Sequence, residues 1–302
     1  MTWTADDVPR QDGRTFVVTG ANTGLGFETS RALAERGAEV VMACRSRERG
    51  RDAAAEIDGV VEVRELDLAS LDSVESFASG LRDDHDDVDV LVNNAGVMAV
   101  PRRETEDGFE LQFGVNHLGH YALTGRLLPL LRAGSDGSRV VTVSSGAHRR
   151  GEIDFDDLMS ESEYSRWGAY AQSKLANLLF ALELDRRFRD ADDIVSLAAH
   201  PGYAATDLQR RAPEEMDSRL HLWGMRLLNA VVAQSAERGA LPQLYAATAE
   251  DVEGGGYYGP GGFMNMRGYP ERQTPSERAR DTETAERLWR VSRELTDVDF
   301  DF

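Results

Sequence analysis

Thr15-Phe16-Val17-Val18-Thr19-Gly20-Ala21-Asn22-Thr23-Gly24-Leu25-Gly26 decides the fold of this chain. Thr15 to Thr19 is a β-branched and aromatic run suited to a pleated, buried strand. It ends in glycines, and helical spacing then holds from Leu25 to about Arg36, where Gly37 stops it. A strand, a glycine turn and a helix in that order let the backbone approach a pyrophosphate closely. The phosphate charge then rests at the helix N-terminus. The glycines are spaced G-x-x-x-G-x-G, which differs from the common G-x-G-x-x-G fingerprint.

Working outward, the same alternation continues. Short apolar runs at 40–44, 60–66, 88–92, 139–143 and 194–198 read as further strands. Amphipathic stretches at 46–57, 71–81, 108–131 and 168–189 read as the helices between them. Near-continuous apolar strands separated by helices indicate a parallel sheet covered on both faces. The expectation is a Rossmann-type, doubly wound α/β sheet of about seven strands, flanked by helices on both faces. Nothing in the sequence divides residues 1–302, so a single domain is expected, with its core at about 14–268. A charged helix and acidic tail follow at about 270–302. Pro129 in Leu127-Leu128-Pro129-Leu130-Leu131 is expected to kink or stop its helix.

Composition narrows the functional classes. The 302 residues carry 34 basic and 53 acidic side chains, a formal net charge of −19. The acids form short clusters such as Asp83-Asp84-His85-Asp86-Asp87 and Asp297-Val298-Asp299-Phe300-Asp301. Such a surface repels nucleic acid and anionic lipid, so neither is expected as a partner. Apart from Lys174 every basic side chain is arginine. An acidic, lysine-poor surface resembles the proteins of salt-accumulating archaea; a GC-rich genome would deplete lysine but gives no reason for the acidic excess. No apolar run reaches the roughly 18–20 residues needed to span a bilayer, and residues 1–7 lack the regions of a signal peptide. Cys44 is the single cysteine, so no internal disulfide forms. A cytoplasmic protein is expected.

The one lysine ends Tyr170-Ala171-Gln172-Ser173-Lys174. Four residues apart on a helix, Tyr170 and Lys174 share a face, about 5–6 Å between Cβ atoms. A fixed cation beside a phenol favours the phenolate, making Tyr170 a candidate general acid and base. Taken alone, the pair also fits a chance surface contact.

Together these motifs resemble the short-chain dehydrogenase/reductase family. Its cofactor turn is similar to Thr19 through Gly26, and its N-N-A-G to Asn93-Asn94-Ala95-Gly96. Its Asn-Ser-Tyr-Lys tetrad matches Asn116, Ser145, Tyr170 and Lys174, and its motif after the sixth strand matches Pro201-Gly202 followed by Thr206. The passages around Val115-Asn116-His117-Leu118-Gly119-His120, Val143-Ser144-Ser145-Gly146-Ala147-His148 and Ala199-His200-Pro201-Gly202 resemble its retinol dehydrogenase-like branch. The resemblance implies an oxidoreductase that moves a hydride between nicotinamide and a carbonyl or alcohol. In it Tyr170 carries the proton, and Lys174 lowers the pKa of Tyr170 and holds the nicotinamide ribose. Ser145, chosen over Ser144, polarises the substrate oxygen, and Asn116 anchors a water in a proton relay. Ser145 and Tyr170 are thus the substrate contacts. Gly20, Asn22, Thr23, Gly24, Leu25, Gly26, Asp67, Leu68, Asn93, Ala95, Gly96, Pro201, Gly202 and Thr206 are implied cofactor contacts, beside Tyr170 and Lys174. A segment at about 203–235 is implied to cover the substrate, and its Tyr203, Trp223, Met225, Leu227 and Leu228, with Phe263, Met264 and Met266, favour a bulky apolar carbonyl. The family often pairs through its long fourth and fifth helices, so a homodimer or tetramer is possible.

Cofactor choice turns on Ala43-Cys44-Arg45-Ser46-Arg47 at the end of the second strand. A carboxylate there would bind the ribose hydroxyls of NAD; Arg45, supported by Ser46 or Arg47, suits the extra phosphate of NADP(H) instead. Alternatives to an alcohol dehydrogenase or carbonyl reductase are a ketoacyl reductase of the same family, or a non-catalytic NADP-binding regulator. His117 and His120 have a spacing that could suit a metal, but no Cys, Asp or Glu completes a site, and no metal is expected. His148 follows the serine and either lines the substrate entrance or lies on the surface. Cys44 reads as core.

The charge makes a first prediction. Carboxylates repel across a Debye length of about 30 Å at 0.01 M salt but about 3 Å at 1 M. The melting temperature should therefore rise between 0.1 and 2 M KCl; a flat or falling curve would sink the halophile interpretation.

Overall fold

The computed structural model describes residues 2–134, 137–189, 194–202 and 234–301. Eight strands join one sheet in the order β3-β2-β1-β4-β5-β6-β7-β8. They are β1 (Thr15–Thr19), β2 (Glu39–Cys44), β3 (Val60–Glu65), β4 (Val90–Asn93), β5 (Arg139–Val143), β6 (Val195–Ala199), β7 (Tyr257–Pro260) and β8 (Pro270–Arg272). All neighbours are parallel except β8, which runs antiparallel to β7 at the edge. The doubly wound reading holds, with this antiparallel edge strand as the addition.

Both faces of the sheet are apolar. Along β1, Phe16 and Val18 pack into one core while Val17 enters the other; Val40 and Met42 face the first, and Val41 the second. This period of two, apolar on both sides, is what a sheet sandwiched between helices requires. The first face carries α1 (Gly24–Glu35), α2 (Arg47–Ala54) and α6 (Ala236–Thr248). The second carries α3 (Leu71–Asp84), α4 (Gly119–Ala133) and α5 (Arg166–Phe188). Ser46, Ser70 and Ser165 accept backbone N–H groups at the starts of α2, α3 and α5.

The stretch expected as one helix over 108–131 is instead a single turn at Leu111–Phe113, a π-helical turn at Gly114–Leu118 and then α4. The π-turn inserts one residue per turn and re-aims the side chains after it. Pro129 does not stop α4, which continues to Ala133.

The charged helix and acidic tail lie where expected. Helix α7 (Thr282–Thr296) lies on α5, and the chain then folds back. Val298 and Phe300 are 5% and 4% exposed and complete a core with Tyr121, Phe180 and Trp289. The Phe300 ring centre is 5.0 Å from that of Tyr121 and 4.7 Å from that of Trp289. The intervening aspartates face outward while alternate side chains face in. Any pairing of copies through α4 and α5 has to accommodate this covering.

Burial at that depth has a measurable consequence. Phe300→Ala leaves a cavity and should cost about 3–5 kcal/mol in urea unfolding at fixed KCl. A loss below about 1 kcal/mol would mean the tail is a solvated appendage.

Candidate active site

The strand order reverses between β1 and β4, and the principal cleft opens at the carboxyl edge there, as such switch points dictate. Gly20, Asn22, Thr23, Gly24 and Leu25 line it from the first turn. Arg45, Ser46 and Arg49 come from the end of β2, Asp67, Leu68 and Ala69 from the end of β3, and Asn94, Ala95 and Gly96 from the end of β4. Gly20 and Gly24 take φ of +65° and +59°, which L side chains rarely adopt.

Three residues sit differently from expectation. Gly26 does not line the cleft: a Cβ there would fall 2.5 Å from the Gly20 carbonyl oxygen, so its role is to let α1 pack on the turn. Asn93 is 1% exposed and turned toward α4, where its amide donates to Thr124 Oγ1 at 3.0 Å. Alternation along β4 gives the cleft to Asn94 instead. Arg47 lines a separate polar cleft with Glu62 and Arg64, and Arg49, one helical step onward, takes the place expected for it.

The two turns are joined through one hydroxyl. Thr19 Oγ1 accepts from the backbone N–H of Asn94 and of Ala95, each at 2.9 Å. It also meets His120 Nε2 at 2.9 Å, while His120 Nδ1 lies 2.9 Å from the Asn116 carbonyl. A carbonyl only accepts, so Nδ1 carries the proton and Thr19 donates to Nε2. Burial pushes the His120 imidazole down to about 4, keeping it neutral. Asn94 Nδ2 donates to the Thr19 carbonyl at 2.7 Å, and Gln243 Nε2 from α6 donates to Asn94 Oδ1 at 3.2 Å.

The tetrad assembles beside this junction. Tyr170 and Lys174 lie on one face of α5, and Ser145 follows β5. Ser145 lies near enough to the Tyr170 phenol to oppose the upward push of burial on it, whereas Ser144 is turned away and donates to the Lys174 carbonyl at 2.7 Å. Asn116 lies in the π-turn. Its Oδ1 accepts from Val97 N–H at 2.7 Å, and its Nδ2 donates to Val97 O at 2.9 Å and Ser173 Oγ at 2.8 Å. Asn116 thus fixes the turn that follows Gly96.

Lys174 is 4% exposed, and its ammonium donates to the Val143 carbonyl at 2.9 Å. Burial lowers it to about 8. The expected depression of Tyr170 by Lys174 is not what the structure shows. Burial raises the phenol above its ordinary value, and the opposing influence comes from the Ser145 hydroxyl. A Cβ at Gly96 would stand 3.0 Å from Asn116 Oδ1 and 3.4 Å from Lys174 Nζ, which ties the cleft floor to the tetrad.

The remaining candidates separate. His117 Nε2 meets Ser292 Oγ at 2.8 Å, on a different partner from His120, and neither faces a shared ligand. Cys44 is buried core with its thiol pushed up to about 11. His148 is buried, on neither the surface nor the cleft lining. Pro201 and Gly202 follow β6 at the same carboxyl edge without lining the cleft. Thr206, Tyr203, Trp223, Met225, Leu227 and Leu228 lie outside the described residues. Around Tyr170 the structure adds residues not singled out above: Met98, Ala99 and Ala147 pack on it, and Trp167, 50% exposed, stands edge-on with ring centres 5.9 Å apart. Trp167 lies three residues before Tyr170 on the same helix, a spacing that could have flagged it.

Comparison with known proteins agrees with this geometry. The family model for short chain dehydrogenase matches residues 14–217. Retinol dehydrogenase 12 of Homo sapiens is 44% identical over 292 residues, covering 95% of this chain and 87% of that protein. Polyprenol dehydrogenase of Mus musculus is 44% identical over 300 residues, covering 96% and 85%. A crystal structure of an uncharacterized protein from Mycobacterium Paratuberculosis superposes with a TM-score of 0.84 at 46% identity, covering 100% of both chains. Motif, topology and site geometry lead to one conclusion: the chain belongs to the short-chain dehydrogenase/reductase family and is a retinol dehydrogenase-like oxidoreductase.

Proposed function

We propose that the chain is an NADP(H)-dependent carbonyl reductase or alcohol dehydrogenase acting on an apolar substrate. The observation that carries this reading is that Lys174, on one helix face with Tyr170, lies directly behind Gly96 on the floor of a cleft that also presents Arg45 and Arg49.

The residues present fit a dinucleotide. Bare backbone at Gly20 and Gly24 opens the first turn to a pyrophosphate, and Gly96 keeps the floor clear above Asn116 and Lys174. Arg45 and Arg49 are exposed and, among the described residues, hold no carboxylate partner, so both guanidiniums remain available to a phosphate. When bound, the cofactor supplies or accepts the hydride. The chain supplies the rest. Ser145 donates a hydrogen bond to the substrate oxygen, and Tyr170, held protonated by burial, gives its proton to that oxygen as the carbonyl is reduced. Among the described residues, Lys174 is the buried cation beside the cleft floor, where an anionic or hydroxyl-bearing ligand raises its proton affinity again.

The apolar preference rests on Met98, Ala99, Ala147 and Trp167 around Tyr170. Two relatives are named for retinol and for polyprenol, both isoprenoid alcohols. A panel of straight-chain aldehydes, cyclic ketones and retinaldehyde with NADPH in molar KCl tests it; faster turnover of short polar aldehydes than of the apolar members would count decisively against it.

Two variants test the chemistry. Tyr170→Phe removes only the transferable proton, so NADPH should still bind while carbonyl reduction falls about 10²–10⁴-fold; near-full activity would refute the acid role. For the cofactor, a charge-assisted contact from Arg45 is worth about 1.5–3 kcal/mol, or roughly 10- to 150-fold in preference. Arg45→Asp should lose at least that factor in kcat/KM for NADPH, and little with NADH, at one fixed KCl concentration. An unchanged NADPH/NADH ratio would remove Arg45 from the site.

A further inference from the structure

We infer that His148 is a positioning residue for Ser145, clamping its main chain from beneath. His148 is fully buried in the 3-10 turn Gly146–Arg150 that follows Ser145. Its backbone N–H donates to the Ser145 carbonyl oxygen at 3.0 Å, and its imidazole Nδ1 lies 2.7 Å from the same oxygen. That oxygen can only accept, so Nδ1 carries a proton, and one residue delivers two donors to one carbonyl. Ser145 Oγ accepts from Ala147 N–H at 3.2 Å and lies beside the Tyr170 phenol, on whose proton affinity it acts. The serine is therefore held at its carbonyl by His148 and at its hydroxyl by the turn.

The other ring nitrogen tells why the residue is a histidine. With Nδ1 protonated, the neutral ring leaves Nε2 as an acceptor, and that atom is buried with no hydrogen-bond partner among the described residues. The ring stands edge-on to Tyr257, with centres 5.6 Å apart at 89°. Packing alone gives no reason for a polar ring at this position, since Nε2 meets no protein donor among the described residues. His200, on the far side of the same tyrosine, makes the contrast. Its Nδ1 accepts from Gly202 N–H at 3.2 Å and its Nε2 meets Gln273 Oε1 at 3.0 Å, so both nitrogens are used. What His148 contributes is the second donor on the Ser145 carbonyl. Displacing a group at the reacting centre by about 1 Å can cost on the order of 10²-fold in rate.

The inference rests on the reading of Ser145 as the residue that polarises the substrate oxygen, so Ser145→Ala is measured in parallel. The assay is NADPH-dependent reduction of nonanal, or of whichever aldehyde of the panel wild type reduces fastest, in molar KCl. His148→Leu should lower kcat about 10- to 100-fold while KM for NADPH stays within about twofold, and its melting temperature should not fall below wild type because the Ser145 carbonyl keeps the backbone donor of residue 148. His148→Asn, whose amide can reach the same carbonyl, should restore kcat to within about threefold of wild type. A His148→Leu enzyme with wild-type kcat, one that melts lower or fails to fold, or a His148→Asn enzyme as slow as the Leu variant would each overturn the assignment. Full activity in Ser145→Ala would instead overturn the underlying reading of the serine; loss there with an unaffected His148→Leu would overturn this inference alone.

Discussion

The hydroxyl of Thr19 is the point on which the site depends. It stands at the carboxyl end of β1, where the sheet reverses its winding, and satisfies two backbone N–H groups of the turn after β4. The Asn94 N–H also reaches the Val92 carbonyl at 2.9 Å, but for the Ala95 N–H the hydroxyl is the acceptor, and by taking both it fixes one turn against the other. His120 sets the direction of that hydroxyl, and the Asn116 carbonyl sets the tautomer of His120. Asn116 in turn holds the backbone of Val97 and reaches Ser173 on α5. A continuous polar thread thus runs from the first glycine turn to the helix that carries Tyr170 and Lys174. The links through His120 and Ser173 are fully buried, so those hydrogen bonds are strong and expensive to leave unmade.

Lys174 shows the opposite economy. It is a buried ammonium held by the Val143 carbonyl, with its proton affinity lowered by burial. A cation kept short of partners is poised to reward an incoming oxygen-rich ligand, since binding relieves a penalty already present in the free protein. Arginine, with five donors in a rigid fork, could not occupy that narrow position in the same way.

Much of this was legible in the sequence because it is local. The strand, turn and helix around Gly20 and the Tyr170–Lys174 spacing are written in consecutive residues, and the structure places them as read. The errors have geometric causes. Asn93 and Asn94 are chemically identical, and only the strand's pleat decides that Asn94 meets the cleft. Arg47 and Arg49 differ by a rotation about α2. The π-turn before α4 depends on hydrogen-bond pairing that composition does not encode. β7 is the four residues Tyr-Tyr-Gly-Pro and β8 the three residues Pro-Glu-Arg, too short for an alternating pattern to mark them. The helix and acidic tail at the C-terminal end lie where they were read, and the burial of Val298 and Phe300 follows from their alternation with aspartates, as in a half-buried extended segment.

That returning tail also imposes an order on the making of the molecule. Tyr121 and Phe180 are synthesised long before Trp289 and Phe300, yet the four rings share one cluster. Until Val298 and Phe300 emerge, α4 and α5 present an uncovered aromatic face, and the contact that closes it joins residues 121 and 300. Such non-local closure is slow, and the species awaiting it is prone to self-association. A nascent chain of this protein therefore stays adhesive until Phe300 is made, and a product cut before Val298 would be released with that adhesive face still open.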